Sequence, residues 1–260
     1  MENIQLISPL VSIIVPVRNG EKYIDNFMNI LDRQTYTNLE IIFVNNLSTD
    51  NSMRILSKYE LRQNITVLDA NKGRLGYARN IGIQNSNGSY IVFLDVDDFL
   101  SDTYVEECLS MIEQYDADMV IANMARHIEM NIVSEYPKWY LGNGVGISSR
   151  KNLHSRNISA CNKLYSAAFL RENALQFPED TLHEDFVFTL NALSMAGEII
   201  ECRRATYYYT LNPDSHAYGD LDGVFKQFLS VYSSESSFVS KVRREIINEA
   251  AMLKLLMFFK

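Results

Sequence analysis

The chain has 260 residues, 47% of them hydrophobic, enough to bury one sizeable core or a core with a smaller subdomain, which excludes disordered and fibrous classes. A formal charge of −8 argues against a nucleic-acid partner, because phosphate-backbone binding draws on clustered Lys and Arg. Cys108, Cys161 and Cys202 are widely spaced and odd in number, fitting neither a disulfide framework nor a C-x-x-C metal site.

Residues 1–10 lack a basic segment followed by an apolar one, and no run of about 18 apolar residues occurs, so the expectation is a cytoplasmic chain that does not span a membrane. Val11–Val17, Leu39–Asn45 and Ile65–Asp69, with residues 90–96 and 117–123, are short apolar runs rich in β-branched residues and without strict alternation. Such runs suit strands buried on both faces. Between the first two, Tyr23, Ile24, Phe27, Ile30 and Leu31 recur at helical spacing; between the next two, Met53, Leu56 and Tyr59 do so, with Ser48, Thr49 and Asp50 as candidate caps. Ser101 and Thr103 open another helix, with Glu106 completing a capping box. Strands alternating with helices predict an α/β fold with a mostly parallel central sheet.

Residues 126–159 carry Pro137, three glycines and the single tryptophan, Trp139, which predicts loops and a short hairpin. Gly142-x-Gly144-x-Gly146 is not a dinucleotide loop, because no strand leads into it and the third glycine is at the wrong spacing. Helical pattern returns at residues 184–196, a β run follows at 198–210, and the chain then looks helical from Asp222 to its apolar finish. The expected organisation is one α/β unit over 1–220, dividing at about residue 100 into halves 1–100 and 101–220, then a helical segment over 221–260. Lys241, Arg243 and Arg244 ahead of that finish leave open contact with a protein or with the inner face of a membrane, beside ordinary helix packing.

In an open α/β sheet, ligands bind outside the carboxyl ends of the strands. The residues there are Pro16, Val17, Arg18 and Asn19 after the first strand, Asn45 and Asn46 after the second, and Asp95, Val96, Asp97 and Asp98 after the fourth. Magnesium and manganese take oxygen ligands and accept substrate phosphates as part of their shell, so an acidic strand end is a candidate metal-diphosphate site. D-x-D is short, and a solvated acidic loop is the plain alternative.

At this point the chain resembles the family 2 glycosyltransferases of the GT-A fold. The resemblance runs through Val11-Ser-Ile-Ile-Val-Pro-Val-Arg-Asn19, Val44-Asn-Asn-Leu-Ser-Thr-Asp50, Asn71-Lys-Gly73 leading to Ala78-Arg-Asn80, Phe93-Leu-Asp-Val-Asp-Asp98, Asn162-Lys-Leu-Tyr165 and His183-Glu-Asp185. It implies inverting transfer from a nucleotide diphosphate sugar, UDP-linked, to a hydroxyl of a glycan or glycolipid acceptor. It assigns Asp97 to a divalent metal, manganese or magnesium, Asp95 to the nucleotide, and Asp185 to the general base. A positioned carboxylate of that kind contributes about 10²–10⁴ in rate. Where the family usually has two aspartates this chain has Asn45 and Asn46, and Arg18 stands where tyrosine is usual.

The remaining candidates divide by side of the site. Arg74 and Arg79 are candidates for base or phosphate contact, with a structural salt bridge open as the alternative for Arg79. Lys163, Tyr165, Glu184 and Trp139 are candidates for the acceptor cleft, Trp139 as a stacking face. His216 lies where some relatives reach the metal, although imidazole suits softer ions. A sugar-1-phosphate nucleotidyltransferase would want a glycine- and basic-rich loop after the first strand, which is absent. An inactive glycosyltransferase-like scaffold draws its support from Asn45 and Asn46, and retention of Asp97 and Asp185 counts against it.

Overall fold

The computed structural model describes residues 8–128, 131–135, 159–180 and 184–210. Their strands form one nine-stranded sheet, in the order β3-β2-β1-β4-β8-β6-β9-β5 with β7 paired to β6.

The nucleotide half is parallel. β1 (Val11–Val17) lies between β2 (Leu39–Asn45) and β4 (Tyr90–Phe93), and β3 (Ile65–Asp69) extends the sheet beyond β2. All seven residues of β1 are buried, as its unbroken apolar run requires of a central strand. Alternate side chains divide the core: Val11, Ile13, Val15 and Val17 face one layer, and Ile14 faces the other.

On the first face pack α1 (Ile24–Asp32), α2 (Ser52–Tyr59) and α4 (Tyr104–Tyr115). The periodicity at Ile24, Phe27, Ile30 and Leu31 is the apolar stripe that α1 buries. On the second face lie α3 (Leu75–Asn85), α5 (Ala167–Glu172) and α6 (Glu184–Met195). Gly82 lets α3 settle on β1, because a Cβ there would stand 2.2 Å from Ile14 Cγ2.

The second half of the sheet is mixed. β8 (Lys163–Ser166) runs antiparallel to both β4 and β6 (Met119–Ile128), β9 (Ile199–Thr210) is parallel to β6, and β5 (Phe99–Leu100) is antiparallel to β9. β7 (Asn131–Glu135) completes the short hairpin expected after residue 126. Phe93, Tyr165, Phe177 and Phe188 join β4, β8 and α6 beneath the second face, with Phe177 stacked on Phe188 at 3.8 Å between ring centroids and the other pairs edge-on.

Two local expectations change. β4 stops at Phe93 instead of reaching residue 96: Leu94 N–H still bonds Ile14 O, after which Asp98 N–H bonds back to Asp95 O at 3.1 Å and closes a turn. The capping box at α4 is not made, since Glu106 accepts from Thr35 Oγ1 at 2.6 Å and binds the helix to the α1–β2 connection. Asp50 does serve the start of α2, accepting from the Ser52 N–H and hydroxyl.

Candidate active site

Three loops meet at the carboxyl ends of β1, β2 and β3. Asn19, in the left-handed region at φ 53°, accepts the Thr49 N–H at 2.8 Å, and its own N–H donates to Ser48 Oγ. Gly20 N–H donates to Ser52 Oγ, Glu21 N–H to Asp50, and Asn51 N–H to Glu21. These bonds zip the β1–α1 loop to the β2–α2 loop. Arg18 reaches from the first loop to Gly73 O, at 3.5 Å, in the loop after β3. Arg18 and Arg74 are exposed on the rim.

The sequence candidates fall differently here. Pro16 and Val17 are buried, and Val17 O already accepts Asn46 N–H (2.7 Å) and Ser48 Oγ (3.3 Å). Asn45 is committed to scaffold, donating to Asp69 and accepting Ser48 N–H. Asn46 is 3% exposed and its buried Oδ1 has no hydrogen-bond partner among the described residues, a costly condition for a polar atom. Val96 packs over Gly20, whose absent Cβ would meet Val96 Cγ1 at 3.1 Å.

The acidic turn holds three carboxylates in three environments. Asp98 is buried; Tyr207 O–H and Thr210 N–H donate to it, and burial followed by the charges of Asp97 and Asp95 hold its carboxyl well above the usual range. Asp95 accepts from Arg79 at 2.8 Å. Asp97 is half-buried at the mouth, and its carbonyl oxygen accepts from the Thr210 hydroxyl.

Arg79 is a correction to the expected base or phosphate contact. At 1% exposure it lies beneath the turn, donating from Nη2 to Asp95 and from Nη1 to Glu184 Oε1 at 2.6 Å. Its open alternative, an internal ion pair, is what the fold contains. Glu184, expected at the acceptor, is likewise only 5% exposed and faces Arg79. Burial, reinforced by Asp185, pushes Glu184 up to about 7 against the opposing pull of Arg79. Asp185 follows it in the first turn of α6, half-buried, with Oδ1 accepting Phe186 N–H.

Lys163 and Tyr165 do not reach an acceptor surface. β8 is an interior strand, so both are 0% exposed: Lys163 Nζ donates to Ser159 O and Asn162 Oδ1, and Tyr165 O–H donates to Ala160 O. Trp139, His216 and the 221–260 segment lie outside the described residues.

Composition gave no notice of two features. Asn80 brackets Phe177, donating to its carbonyl (2.9 Å) and accepting its N–H (2.8 Å), and so holds the loop that leads to α6. Cys161 Sγ sits 3.6 Å from Asp95. The segment Ala78-Arg79-Asn80 was visible as a motif, but its partners Glu184 and Phe177 lie 105 and 97 residues away.

Among the described residues, no three His, Cys, Asp or Glu side chains gather as a metal cage, and no helix is long and apolar enough to cross a membrane. A magnesium or manganese ion needs no such cage, since it binds through one or two carboxylates with water and substrate phosphate. Asp97, a hard oxygen donor at the mouth, fits that requirement.

Comparison with known proteins agrees with this geometry. The profile of Glycosyl transferase family 2 matches residues 12–173. The poly(ribitol-phosphate) beta-N-acetylglucosaminyltransferase TarS of Staphylococcus aureus is 31% identical over 212 residues, 76% of this chain and 35% of TarS. Putative glycosyltransferase EpsH of Bacillus subtilis is 29% identical over 248 residues, 90% of this chain and 70% of EpsH. The chain therefore spans about a third of the length of TarS. Among solved structures, TarS 1–349 in complex with UDP-GlcNAc superposes with a TM-score of 0.71 at 23% identity, over 94% of this chain and 72% of that one. Mannosyltransferase PcManGT of Pyrobaculum calidifontis, in complex with GDP-Man and Mn2+, gives 0.67 at 13% identity, over 94% and 70%. The shared architecture is the α/β GT-A fold, and with the profile matched over residues 12–173, the chain belongs to glycosyl transferase family 2.

Proposed function

We propose that this chain moves a sugar from a nucleotide diphosphate sugar, UDP-linked, to a hydroxyl of a glycan or glycolipid acceptor by inverting single displacement. One arrangement carries the reading: the loops after β1, β2 and β3 and the turn bearing Asp97 open on one end of the sheet, and the α6 turn bearing Asp185 is tied to that same acidic turn. The TarS structure holding UDP-GlcNAc supports uridine as the base and the PcManGT structure holding GDP-Man and Mn2+ supports a divalent cation, while the name of TarS supports a polyhydroxylated acceptor.

The nucleotide would lie across the zipped loops, with Arg18 and Arg74 on the rim supplying positive charge toward the base and phosphates. Asp97 would hold the cation, which when bound neutralises charge developing on the departing diphosphate. Asp185 would accept the proton of the attacking hydroxyl as the new bond to the sugar carbon forms. A sugar hydroxyl is a weak nucleophile, so the proton must leave in the transition state.

The test is thermal shift followed by transfer assay. A ligand at 100 times its Kd adds about 2.7 kcal/mol, so UDP with manganese should raise Tm by roughly 5 °C or more. Asp97→Ala should abolish the manganese dependence of that shift. Asp185→Asn should keep it and lose transfer by about 10²–10⁴. If UDP, GDP, CDP and their sugars all leave Tm unchanged, the reading fails.

A further inference from the structure

We infer that Arg79 is a positioning residue that sets the separation between the acidic turn and the first turn of α6, and so between donor and base. The inference rests on the transfer reading above.

Arg79 sits on the inner side of α3 with its guanidinium wholly enclosed. One end of the fork donates to Asp95 and the other to Glu184, at 2.8 and 2.6 Å. Asp95 is two residues before Asp97, and Glu184 immediately precedes Asp185. Each carboxylate that would act on substrate is therefore one or two residues from a carboxylate held by the same cation. The guanidinium also lies over the Phe177 ring, 5.3 Å from its centroid, in the loop leading to α6.

The rest of α3 serves the same connection. Its N-cap is Arg74, on the rim of the nucleotide loops. Gly76 lies so close to that same loop that a Cβ would stand 2.2 Å from Pro178 O, and Asn80 brackets Phe177. Helix α3 thus touches the donor loops at its first residue and the base-bearing segment along its length.

A buried charge is a poor choice for stability alone, because a well-packed apolar side chain of similar volume is often as good or better. What the rigid planar fork does supply is a fixed distance between two carboxylates. Misplacement of a reacting group by about 1 Å can cost about 10²-fold in rate.

The experiment compares the wild-type chain with Arg79→Lys and Glu184→Gln. Readouts are the thermal melt, UDP-manganese affinity by calorimetry, and kcat and KM for transfer. A lysine keeps the cation but cannot span both carboxylates. Arg79→Lys should melt cooperatively and hold UDP within about threefold of wild type, with kcat for transfer down by about 10²-fold and donor KM little moved. Glu184→Gln should lose less, because its amide oxygen still accepts from Nη1.

Transfer by folded Arg79→Lys at the wild-type kcat would overturn the inference. Should that variant not fold, Glu184→Ala, which removes the acceptor for Nη1 altogether, decides: a reduced kcat at unchanged UDP affinity supports the inference, and an unchanged kcat overturns it. Wild-type chain that binds no nucleotide sinks the transfer reading itself, a separate outcome from either.

Discussion

Tyr207 donates its hydroxyl to the buried carboxyl of Asp98, 109 residues earlier, and so fastens the end of β9 to the acidic turn. Thr210 adds its N–H to Asp98 and its hydroxyl to Asp97 O. The turn is thereby held from below by Arg79 and from the side by β9, with Asp97 half-buried between them.

Asp98→Ala removes the acceptor for the buried Tyr207 hydroxyl and the half-buried Thr210 N–H, and a buried donor left unpaired costs about 1–3 kcal/mol. We expect a loss of about 2–4 kcal/mol in urea denaturation, with Tyr207→Phe losing about 1 kcal/mol. Loss of manganese-dependent UDP binding in Asp98→Ala at temperatures where it remains folded would show that Asp97 is displaced as well.

Glu184 gives a pH signature. Its folded pKa, about 7, lies above the ordinary 4.5, so between pH 4.5 and 7 the folded chain binds more protons than the unfolded one. Stability from this group is full below pH 4.5 and is lost as pH rises through 7. The stability difference between wild type and Glu184→Gln should therefore shift against wild type by on the order of 2 kcal/mol from pH 4.5 to 7.5. A difference that stays flat with pH would refute the assignment.

Leu47 adopts φ 58° in the β2–α2 loop with its side chain 48% exposed. A left-handed conformation costs a side-chain-bearing residue roughly 1–2 kcal/mol. Leu47→Gly should raise stability by about 0.5–1 kcal/mol, the greater freedom of glycine in the unfolded chain offsetting part of the gain. A lower Tm in the variant would show that packing of Leu47 over Gly73 outweighs the backbone strain.

Gly76→Ala drives a methyl group toward Pro178 O, at 2.2 Å, and Glu184 Cγ, at 3.1 Å. Backbone must shift, since the nearest atom is a carbonyl. Overpacking of this kind costs about 1–3 kcal/mol, and we expect that loss together with a larger fall in kcat than in UDP affinity.

How far the fold could be read in advance depended on the kind of signal. β1 and β2 announced themselves as continuous apolar runs, and α1 by its period, because burial on both faces or on one stripe leaves a local imprint. The mixed pairing of β8 left none: Asn162-Lys163-Leu164-Tyr165 reads as a polar cleft segment until β4 and β6 take both its edges and the two core layers cover its faces. Likewise Glu106 looked like a cap because its offset from Thr103 was right, but a cross-chain hydroxyl claimed it.

The sequence by itself determined the alternation of strands and helices and the collection of Arg18, Asn46 and Asp95–Asp98 at strand ends, since chain order and strand polarity dictate which residues emerge at the carboxyl edge. Only the tertiary structure decided what each carboxylate and cation does. Asp95, Asp97 and Asp98 are neighbours in one short motif, yet Asp95 is paired to Arg79, Asp98 is buried against Tyr207, and Asp97 is half-buried with its backbone carbonyl held by Thr210. Charge environments are set by groups contributed from distant segments, Glu184 and Tyr207 among them, and electrostatic interaction depends on distance in space rather than in sequence.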